Sequence, residues 1–390
     1  MLKLGEYGFD QMTLAWFESY LYGRVQCVQV ESSLSSFLEV PWGVPQGSIL
    51  GPLLFIIFIN DLPELVKFRD LDKEVGSDEL EDASVVIYSD DNTPTVAHED
   101  PVRLINMVQH VGNEITGWFD KNDMVVSGEK TKLLLLGTSA NRKLKIDNNE
   151  NFSPQIKIDE KVISPSKSEK LLGVVVNDSL NWKNHLYGDD DNLGLLKELS
   201  KRTGILKKLR KYLPDSRFKQ AVSGIFTSKL IYCINVWTGI WDLPGQIGDG
   251  NKLSITKKDM KRLQTIQNKV LRLETRSDRS IPTSTLLRKS RSLSVHQLGA
   301  YHTATQVLKI KLSQKPAYHY ERLFGQPHVR STENSATRVN FKLSTCRGSF
   351  FYQASRIWAI LPGHMRTIQK PEQFKKMCKA WVINNIKEKP

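Results

Sequence analysis

The spacing of apolar residues predicts helices at several points of the chain. Apolar side chains recur at helical intervals over residues 11–22 and again over residues 101–120. A continuous apolar run from Ile49 to Ile59 follows a loop rich in glycine and proline, which favours a buried helix. From about residue 194 onward, helix-forming basic segments dominate. The pattern predicts a mixed first half and a mostly helical second half.

Strand-like apolar runs stand between these helices. Ala83 to Tyr88 reads as a strand, Ser89 to Asn92 as a turn, and Thr93 to Ala97 as a second strand. Pro94 weakens that second strand, because proline cannot donate a hydrogen bond to the ladder. Further strands are expected at Val25–Val30, Met124–Val126, Leu133–Leu136 and Lys170–Val176.

The charge of the chain changes sign between its halves. Residues 1–200 hold 18 Lys plus Arg against 32 Asp plus Glu, a net charge of −14, whereas residues 201–390 hold 37 against 10, a net charge of +27. So large a basic excess is typical of proteins that bind the phosphate backbone of nucleic acids. A basic surface without any partner explains the charge equally well, so the decision rests on motifs.

Composition and cysteine usage exclude several classes of protein. With 40% hydrophobic and 25% charged residues the chain is globular. Its four cysteines are far apart and form no C-x-x-C pair, which gives a zinc site poor support and suits an intracellular, reducing compartment, nuclear or cytoplasmic. The first ten residues have no apolar core of a secretory signal. No apolar run approaches the ~20 residues that span a bilayer, so no membrane partner is expected.

Asp90-Asp91 is the sharpest chemical feature of the sequence. Two adjacent carboxylates in a turn after an apolar strand are the oxygen ligands that Mg²⁺ prefers. In nucleotidyl transfer, two such ions about 3.5–4 Å apart activate the attacking hydroxyl and stabilise the leaving group. The competing interpretation is a solvated turn, since aspartate is a common turn former.

A glycine-rich loop, Gly43-Val-Pro-Gln-Gly-Ser48, precedes the aspartate pair by some forty residues. Gly47 permits close approach of the backbone to a base or sugar. Gln46 can both donate and accept hydrogen bonds. The competing interpretation is an ordinary loop before a core helix.

Together these motifs resemble the reverse transcriptases of non-LTR (LINE-type) retrotransposons, in their Jockey-like branch. Gly43 to Phe55 with Ile59-Asn-Asp-Leu-Pro63 looks like the template-gripping loop and palm helix of that family, and Tyr88-Ser-Asp-Asp91 is similar to its catalytic turn. Other blocks that match in the same order are Trp118–Asn122 with Glu129–Thr131, Lys170–Gly173 with Leu180–Trp182 and His185 (the primer-grip region), Ile231–Trp237, Leu263–Lys269, Ser349–Phe351 and Arg356–Pro362.

The resemblance implies a fold and an activity. The fold class is α+β: a polymerase palm remnant over residues 1–190, with an antiparallel sheet covered by helices on one face, and a mostly helical basic thumb and C-terminal region over residues 191–390. The activity is RNA-directed DNA synthesis with Mg²⁺, deoxynucleoside triphosphates, an RNA template and an RNA–DNA duplex.

The resemblance also carries roles onto particular residues. Asp90 and Asp91 are implied to be catalytic and to ligate the metal, and Lys130 to lie near the leaving pyrophosphate. Gly43, Gln46 and Gly47 are implied to face template or nucleotide. We expect Gly47 and the Asp90–Asp91 tip to line a single cleft.

Ser89 replaces a small apolar residue of the family pattern, a change that we expect to be harmless. One departure bears on activity: the strand with the aspartate that bridges both metals, and the fingers, are expected upstream of Met1. We therefore expect this polypeptide alone to bind Mg²⁺ weakly and not to polymerise DNA, unless a second chain supplies the missing palm segment. Two alternatives stay open: a non-catalytic nucleic-acid-binding protein derived from a decayed element, and an unrelated globular protein with a coincidental Asp-Asp turn.

The basic half carries expectations of its own. The run from Lys201 to Lys211 alternates charge with apolar residues, so one helix face can pack on the palm while the other meets phosphates. Trp237, Trp241 and Trp358 either stack on bases or belong to the core.

Overall fold

The computed structural model describes residues 1–65, 83–137, 154–239, 255–325 and 349–388. They belong to two compact units, Met1–Leu133 with Lys143–Pro165 and Leu134–Arg142 with Ser166–Pro390. The assignment of palm and thumb, with its boundary at residue 190, stays a prediction. Within the described ranges, no helix has the length and apolar character needed to cross a membrane.

The first unit mixes short helices with antiparallel strand pairs, and two of its helices begin at an aspartate cap. The Asp10 side chain accepts a hydrogen bond from the Thr13 backbone N–H, and Asp100 accepts from Val102 and Arg103. In chain order the elements are α1 (Leu2–Glu6), α2 (Gln11–Leu21), β1 (Val25–Gln26), β2 (Gln29–Val30), β3 (Ser33–Leu34), β4 (Leu38–Glu39), α3 (Leu50–Ile59), α4 (Leu62–Leu65), β5 (Ala83–Tyr88), β6 (Asp91–Val96), α5 (Pro101–Lys121), β7 (Ile156–Ile158) and β8 (Lys161–Ile163).

The predicted helices and the predicted aspartate hairpin of this unit are confirmed. The second strand, β6, begins at Asp91 rather than Thr93 and pairs along its whole length with β5, Pro94 included. Proline is tolerated there because β6 has a free edge within the described chain, where a missing donor breaks no ladder bond.

The two strands predicted within residues 124–136 do not form. Met124 to Val126 is irregular, and in Leu133 to Leu136 only Leu133 makes an isolated bridge, to Pro165. Met124 and Val126 instead contribute their side chains to the core beneath the aspartate hairpin. Short apolar segments can thus satisfy burial without finding a strand partner.

Two apolar clusters organise the first unit, and α3 contributes to both. One cluster is centred on Ile59, Trp118 and Phe119 and lies under the β5–β6 hairpin. The other joins Leu4, Phe17 and Leu54, with Val44 of the glycine-rich loop packed against it. Helix α3 is apolar on most sides; two of these sides are covered, whereas Leu53 and Ile56 stay exposed.

The second unit is mostly helical. In chain order its elements are β9 (Ser168–Leu171), β10 (Val174–Asn177), α6 (Lys183–Tyr187), α7 (Leu195–Leu209), α8 (Asp215–Ala221), a π-helix (Val222–Thr227), α9 (Ser228–Ile231), α10 (Ile234–Trp237), α11 (Lys257–Thr275), α12 (Thr283–Ser290), α13 (Val295–Ser313), α14 (Ala317–Phe324), α15 (Phe350–Ile360), α16 (Gly363–Arg366) and α17 (Pro371–Asn385). The π-helix stands in an otherwise continuous helical stretch, where the Arg202 guanidinium binds the carbonyl of Ile225 at 2.7 Å.

One predicted strand of this unit is a hairpin. Lys170 to Val176 does not extend as a single strand, because the chain reverses at Leu172 and Gly173, and β9 pairs with β10. Across the described residues the strands form five separate two-stranded antiparallel pairs. The α+β class is confirmed in this coarse form, as helices with small antiparallel sheets.

Helices α7 and α11 of the second unit lie side by side and run in the same direction. Near the start of α11, the Tyr187 hydroxyl contacts Asp259 and Arg262, and Tyr187 is adjacent to Gly194, which begins α7. At the other end, Arg210 donates to the carbonyl of Leu273 at 2.8 Å. Leu199 and Leu206 of α7 and Leu263 of α11 share one buried core.

Candidate functional site

The aspartate pair lies at the tip of the β5–β6 hairpin. Tyr88 pairs with Asp91, which leaves Ser89 and Asp90 as a two-residue turn. Ser89 adopts φ of 56°, a left-handed conformation that is uncommon for serine. Both aspartates are exposed, and the tip is tied by an Asn92 side-chain amide that donates to the Asp90 carbonyl at 3.3 Å. The two carboxylates are therefore available to a ligand.

The stem of this hairpin is held from one face. Val85 and Ile87 alternate inward along β5 and pack with Val96 against the cluster of Trp118 and Phe119. Ser84 and Thr95 pair on the opposite face through their hydroxyls, 2.7 Å apart. The hairpin thus has a rigid base and an open tip.

The oxygen ligands at the tip are of the kind that a hard cation prefers. Asp90 and Asp91 supply carboxylate oxygens, and Asn92 Oδ1 is a buried amide oxygen without a hydrogen-bond partner in the described chain. Their number falls short of a closed site. Among the described residues no group of three or more His, Cys, Asp or Glu side chains is placed to hold a metal.

The glycine-rich loop has the backbone conformations that its glycines permit. Gly43 and Gly47 adopt φ of 75° and 78°, values that strain a residue with a side chain. A methyl group added at either position would meet no atom within 4 Å, so the two glycines have open space around them. Gln46 is exposed beside them. The loop thus presents backbone and one amide side chain to its surroundings.

Arg24 anchors this loop, a role the sequence analysis did not predict. Its Nε donates to the carbonyl of Leu21 at 2.8 Å, and its Nη2 donates to the carbonyls of Trp42 at 3.3 Å and Gly43 at 2.6 Å. One guanidinium therefore joins the end of α2 to the start of the loop. Only the planar, multiply donating arginine head can bridge three such acceptors.

Helix α3 connects the loop to the aspartate hairpin. Val44 packs with Leu54 on one side of the helix, and Phe55 and Phe58 pack towards the hairpin on the other. A displacement of α3 would therefore move both candidate elements. The expectation that Gly47 and the aspartate tip line one cleft stays a prediction.

Lys130 is exposed in a turn that follows α5, where its backbone N–H donates to Ser127 at 3.1 Å. Its side chain forms no ion pair with any described residue, so its ammonium is available to an anion. Its place beside the pyrophosphate stays a prediction.

A polar cluster around Asp61 was also missed by sequence reasoning. Lys3 donates to Asp61 at 2.8 Å and to the carbonyl of Phe58 at 2.6 Å, while Trp118 Nε1 donates to Asp61 at 3.3 Å. Partial burial acts to raise the pKa of Asp61, but the hydrogen bonds from Lys3 and Trp118 outweigh it and lower that pKa. This cluster fastens α1 and α5 to the end of α3.

The second unit carries an exposed basic face on α7. Leu195, Leu199 and Leu206 are buried in the core of their own unit, whereas the exposed positions include Lys197, Lys201, Lys207, Lys208 and Lys211. Ile205, expected on the apolar face, is half exposed because it falls on the lysine side. At the end of the helix Tyr212 is 81% exposed, an aromatic ring open to stacking.

The neighbouring helix α11 repeats this division. Its buried residues include Met260, Leu263 and Val270, and its exposed positions include Lys258, Lys261 and Lys269. Two parallel helices thus each expose a row of lysines. Such rows suit the regular spacing of phosphates rather than the reading of a base sequence.

The tryptophans proposed as stacking residues belong to the core where they are described. Trp237 and Trp358 are both fully buried. Trp241 lies outside the described residues.

Comparisons with known proteins give the site a context. Residues 2–176 match the family model described as reverse transcriptase (RNA-dependent DNA polymerase). An RNA-directed DNA polymerase from the mobile element jockey of Drosophila melanogaster is 24% identical over 169 residues, which is 43% of this chain and 17% of that protein. The probable RNA-directed DNA polymerase from the Drosophila melanogaster transposon X-element is 25% identical over 276 residues, 70% of this chain and 26% of that protein.

A further jockey polymerase, from Drosophila funebris, is 25% identical over 169 residues, 43% of this chain and 17% of the relative. The chain thus spans between about a sixth and a quarter of the length of these relatives. No solved structure matches it.

Proposed function

Since residues 2–176 of this chain match the reverse transcriptase family and its relatives include RNA-directed DNA polymerases from the mobile element jockey and the transposon X-element, we propose that the chain takes part in RNA-directed DNA synthesis. It supplies the catalytic turn of the palm and, in its helical unit, the thumb that holds the template–primer duplex. Its substrates are deoxynucleoside triphosphates and an RNA template.

One observation carries this proposal. Asp90 and Asp91 are exposed at the tip of the β5–β6 hairpin, which has a two-residue turn. The stem of this hairpin packs on a core to which α3, the helix after the glycine-rich loop, also contributes. A nucleotidyl-transfer site needs acidic groups that are open to metal and substrate yet rigidly based. The hairpin combines both properties.

The remaining predicted residues have roles around that tip. The backbone at Gly43 and Gly47 approaches template or nucleotide, and Gln46 hydrogen-bonds to a base or sugar. Lys130 offers a positive charge to the pyrophosphate. The lysines of α7 and α11 bind phosphates of the RNA–DNA duplex without reading its sequence.

Asp90 and Asp91 are the residues that would hold Mg²⁺, the divalent ion that suits their oxygen donors. The bound ion would supply charge stabilisation at the phosphates. Because two carboxylates fix a pair of divalent ions poorly, the 390-residue polypeptide by itself binds Mg²⁺ weakly and does not extend a primer. A carboxylate from a further polypeptide segment would complete the site.

A binding experiment tests the nucleic-acid part of the proposal. The full chain should bind an RNA–DNA hybrid, with an affinity that falls steeply as salt increases. Lys201→Glu with Lys208→Glu on α7 should weaken binding at least tenfold. The matched control, Lys157→Glu with Lys161→Glu on the β7–β8 pair, makes the same change in net charge and should have little effect. Equal losses in the two variants would contradict a specific basic face.

Primer extension tests the catalytic part. Purified chain, an RNA template with an annealed DNA primer, Mg²⁺ and all four deoxynucleoside triphosphates should give no extended product. Incorporation that Asp90→Ala abolishes would overturn the expected inactivity while supporting the assignment of Asp90. Incorporation that survives Asp90→Ala would overturn the assignment itself.

The incomplete ligand set among the described residues favours one second candidate, a nucleic-acid-binding protein without catalysis. It shares the basic helices but makes no use of the aspartate tip. Under it, Asp90→Asn with Asp91→Asn leaves Mg²⁺ binding unchanged, whereas the polymerase assignment requires even weak Mg²⁺ binding to be lost.

A further inference from the structure

The β9–β10 hairpin of the second unit makes its turn in an unusual way. Leu171 pairs with Val174, so Leu172 and Gly173 alone reverse the chain. Their φ values are 45° and 84°, both positive, as in a type I′ turn. Asn-Gly is the favoured pair for that turn, because asparagine and glycine tolerate the left-handed region. A leucine at the first position is strained, and something outside the turn must hold it.

Tyr232 provides that restraint from α9 and its C-terminal end, sixty residues along the chain. Its hydroxyl donates to the carbonyl of Leu172 at 2.6 Å. Its ring lies flush against Gly173, where an added methyl group would come within 3.3 Å of Cε1. The tyrosine thus contacts both residues of the turn, one through a hydrogen bond and the other through van der Waals packing.

Tyr232 is itself fixed by the core. The indole Nε1 of Trp237, which is fully buried, donates to the Tyr232 carbonyl at 2.9 Å. The Trp237 ring lies 5.8 Å from that of His185. The Nδ1 of His185 in turn accepts from the backbone N–H of Val175 on β10, at 3.4 Å. These contacts connect the Leu172–Gly173 turn, through Tyr232, Trp237 and His185, back to β10 of the same hairpin.

These contacts lie on one side of the hairpin, and its outer side is exposed. Lys170, Leu171 and Leu172 are all exposed, although the strand behind them is buried at Val174 and Val175. The turn is strained, exposed and bound on its inner side by Tyr232. Strain of this kind persists where the surroundings over-determine the conformation, and it clusters at functional sites. We therefore treat the turn as a contact surface.

We propose that Tyr232 is a positioning residue that holds the Leu172–Gly173 turn in the conformation in which the hairpin contacts the primer strand of the RNA–DNA duplex. This inference rests on the proposed function. Tyr232 does not touch the nucleic acid; it sets the backbone direction at the turn, and so the place of the Lys170 ammonium beside the strand.

The experiment is a double-mutant cycle on the full chain, with dissociation constants for an RNA–DNA hybrid that has a recessed DNA 3′ end. Tyr232→Phe removes the hydrogen bond to Leu172 and keeps the ring against Gly173. It should weaken binding about threefold to tenfold, which is the range of one hydrogen bond. Tyr318→Phe, at a 57% exposed tyrosine of the same unit, is the control and should leave binding unchanged.

The same substitution is then made in a chain that carries Leu172→Asn. This background gives the turn its preferred Asn-Gly sequence, so the turn holds itself without the tyrosine. Tyr232→Phe should now change the dissociation constant by less than about twofold, a coupling that a double-mutant cycle detects. A photo-crosslinker at Lys170 should label the same primer nucleotide in the wild type and the double variant, and a broader set in Tyr232→Phe alone.

The outcomes separate the inference from the function on which it rests. If the wild-type chain fails to bind the hybrid, the proposed function and the inference are both overturned. If the wild type binds but Tyr232→Phe has no effect, or has the same effect in both backgrounds, only the role of Tyr232 is overturned. A fall in thermal stability without a change in hybrid affinity would likewise reduce Tyr232 to a structural residue.

Discussion

Two hairpins of this protein have the same length of turn and opposite kinds of support. The β5–β6 hairpin turns at Ser89 and Asp90, and the β9–β10 hairpin turns at Leu172 and Gly173. Each has a non-glycine residue at positive φ. The first tip is tied by Asn92 of its own second strand, whereas the second is bound by Tyr232 from a distant helix.

The two hairpins show that a turn can be rigid while its tip stays exposed. Under the proposed function, the two carboxylates must receive a cation and a phosphate and therefore have to stay open. The aspartate hairpin is ordered instead by the packing of its stem on the core beneath it. A turn that contacts a ligand through its outer side can be bound on its inner side by another part of the chain. The two arrangements predict different responses to mutation and pH.

The largest effect is expected from the core beneath the aspartate hairpin. Trp118→Ala removes a 5% exposed ring and should destabilise the first unit by about 3–5 kcal/mol. Hydrogen exchange should accelerate across residues 83–96, while β9 and β10 stay protected. Trp16→Ala, at a 52% exposed ring, is the control and should cost about 1 kcal/mol or less. Equal hydrogen exchange across residues 83–96 in the two variants would show that the core under the stem does not order the aspartate hairpin.

Acid should loosen the other hairpin first. Burial of His185, with a further contribution from the nearby Lys229 charge and against that of Glu198, lowers its pKa from 6.5 to about 4. The folded state therefore favours neutral His185, so stability is full above the unfolded value of 6.5 and declines as pH falls towards 4. Between about pH 7.5 and about pH 5 the loss should approach about 2 kcal/mol.

The measurement is the urea midpoint of unfolding against pH. His185→Gln removes this titration, so the wild type minus variant difference isolates it from the carboxylates. His364→Gln, at an exposed histidine of the same unit, serves as the matched control. A pH profile for His185→Gln parallel to that of the wild type would show that His185 does not set the acid sensitivity.

The glycine-rich loop provides a third case, because its backbone carbonyls, like that of Leu172, accept hydrogen bonds from a side chain elsewhere in the chain. Arg24→Ala removes the hydrogen bonds to Leu21, Trp42 and Gly43, and should speed hydrogen exchange at residues 42–48 by about 5- to 30-fold, or about 1–2 kcal/mol. Arg103→Ala, on the exposed face of α5, should not. An unaltered loop in Arg24→Ala would leave the guanidinium without an anchoring role.

The smallest effects concern the turns themselves. Asparagine adopts positive φ more readily than serine or leucine, so Ser89→Asn should stabilise the first unit by about 0.5 kcal/mol and Leu172→Asn the second by about 1 kcal/mol. Ser89→Val should act in the opposite direction, because a β-branched residue is disfavoured there. Urea unfolding resolves these shifts, and a destabilising Leu172→Asn would argue against strain at that turn.

Local patterns in the sequence were enough for much of the secondary structure. The periodicity of α2 and α5 and the strand from Ala83 to Tyr88 followed from residues close together in the chain. Short apolar segments were harder. Met124 to Val126 and Lys170 to Val176 have the same strand-like composition, yet the first is irregular and the second is a hairpin.

The amino-acid sequence alone was enough to single out the candidate features: an aspartate pair after an apolar strand, a glycine loop before an apolar helix and a basic helical half, and through them the similarity to reverse transcriptases. The contacts that hold these parts became visible in the three-dimensional packing. Arg24, Tyr232 and the Lys3–Asp61 pair act on residues 18 to 60 positions away. Contacts across such separations leave no periodic trace in the chain, because they depend on how helices and turns pack rather than on the spacing of residues within them.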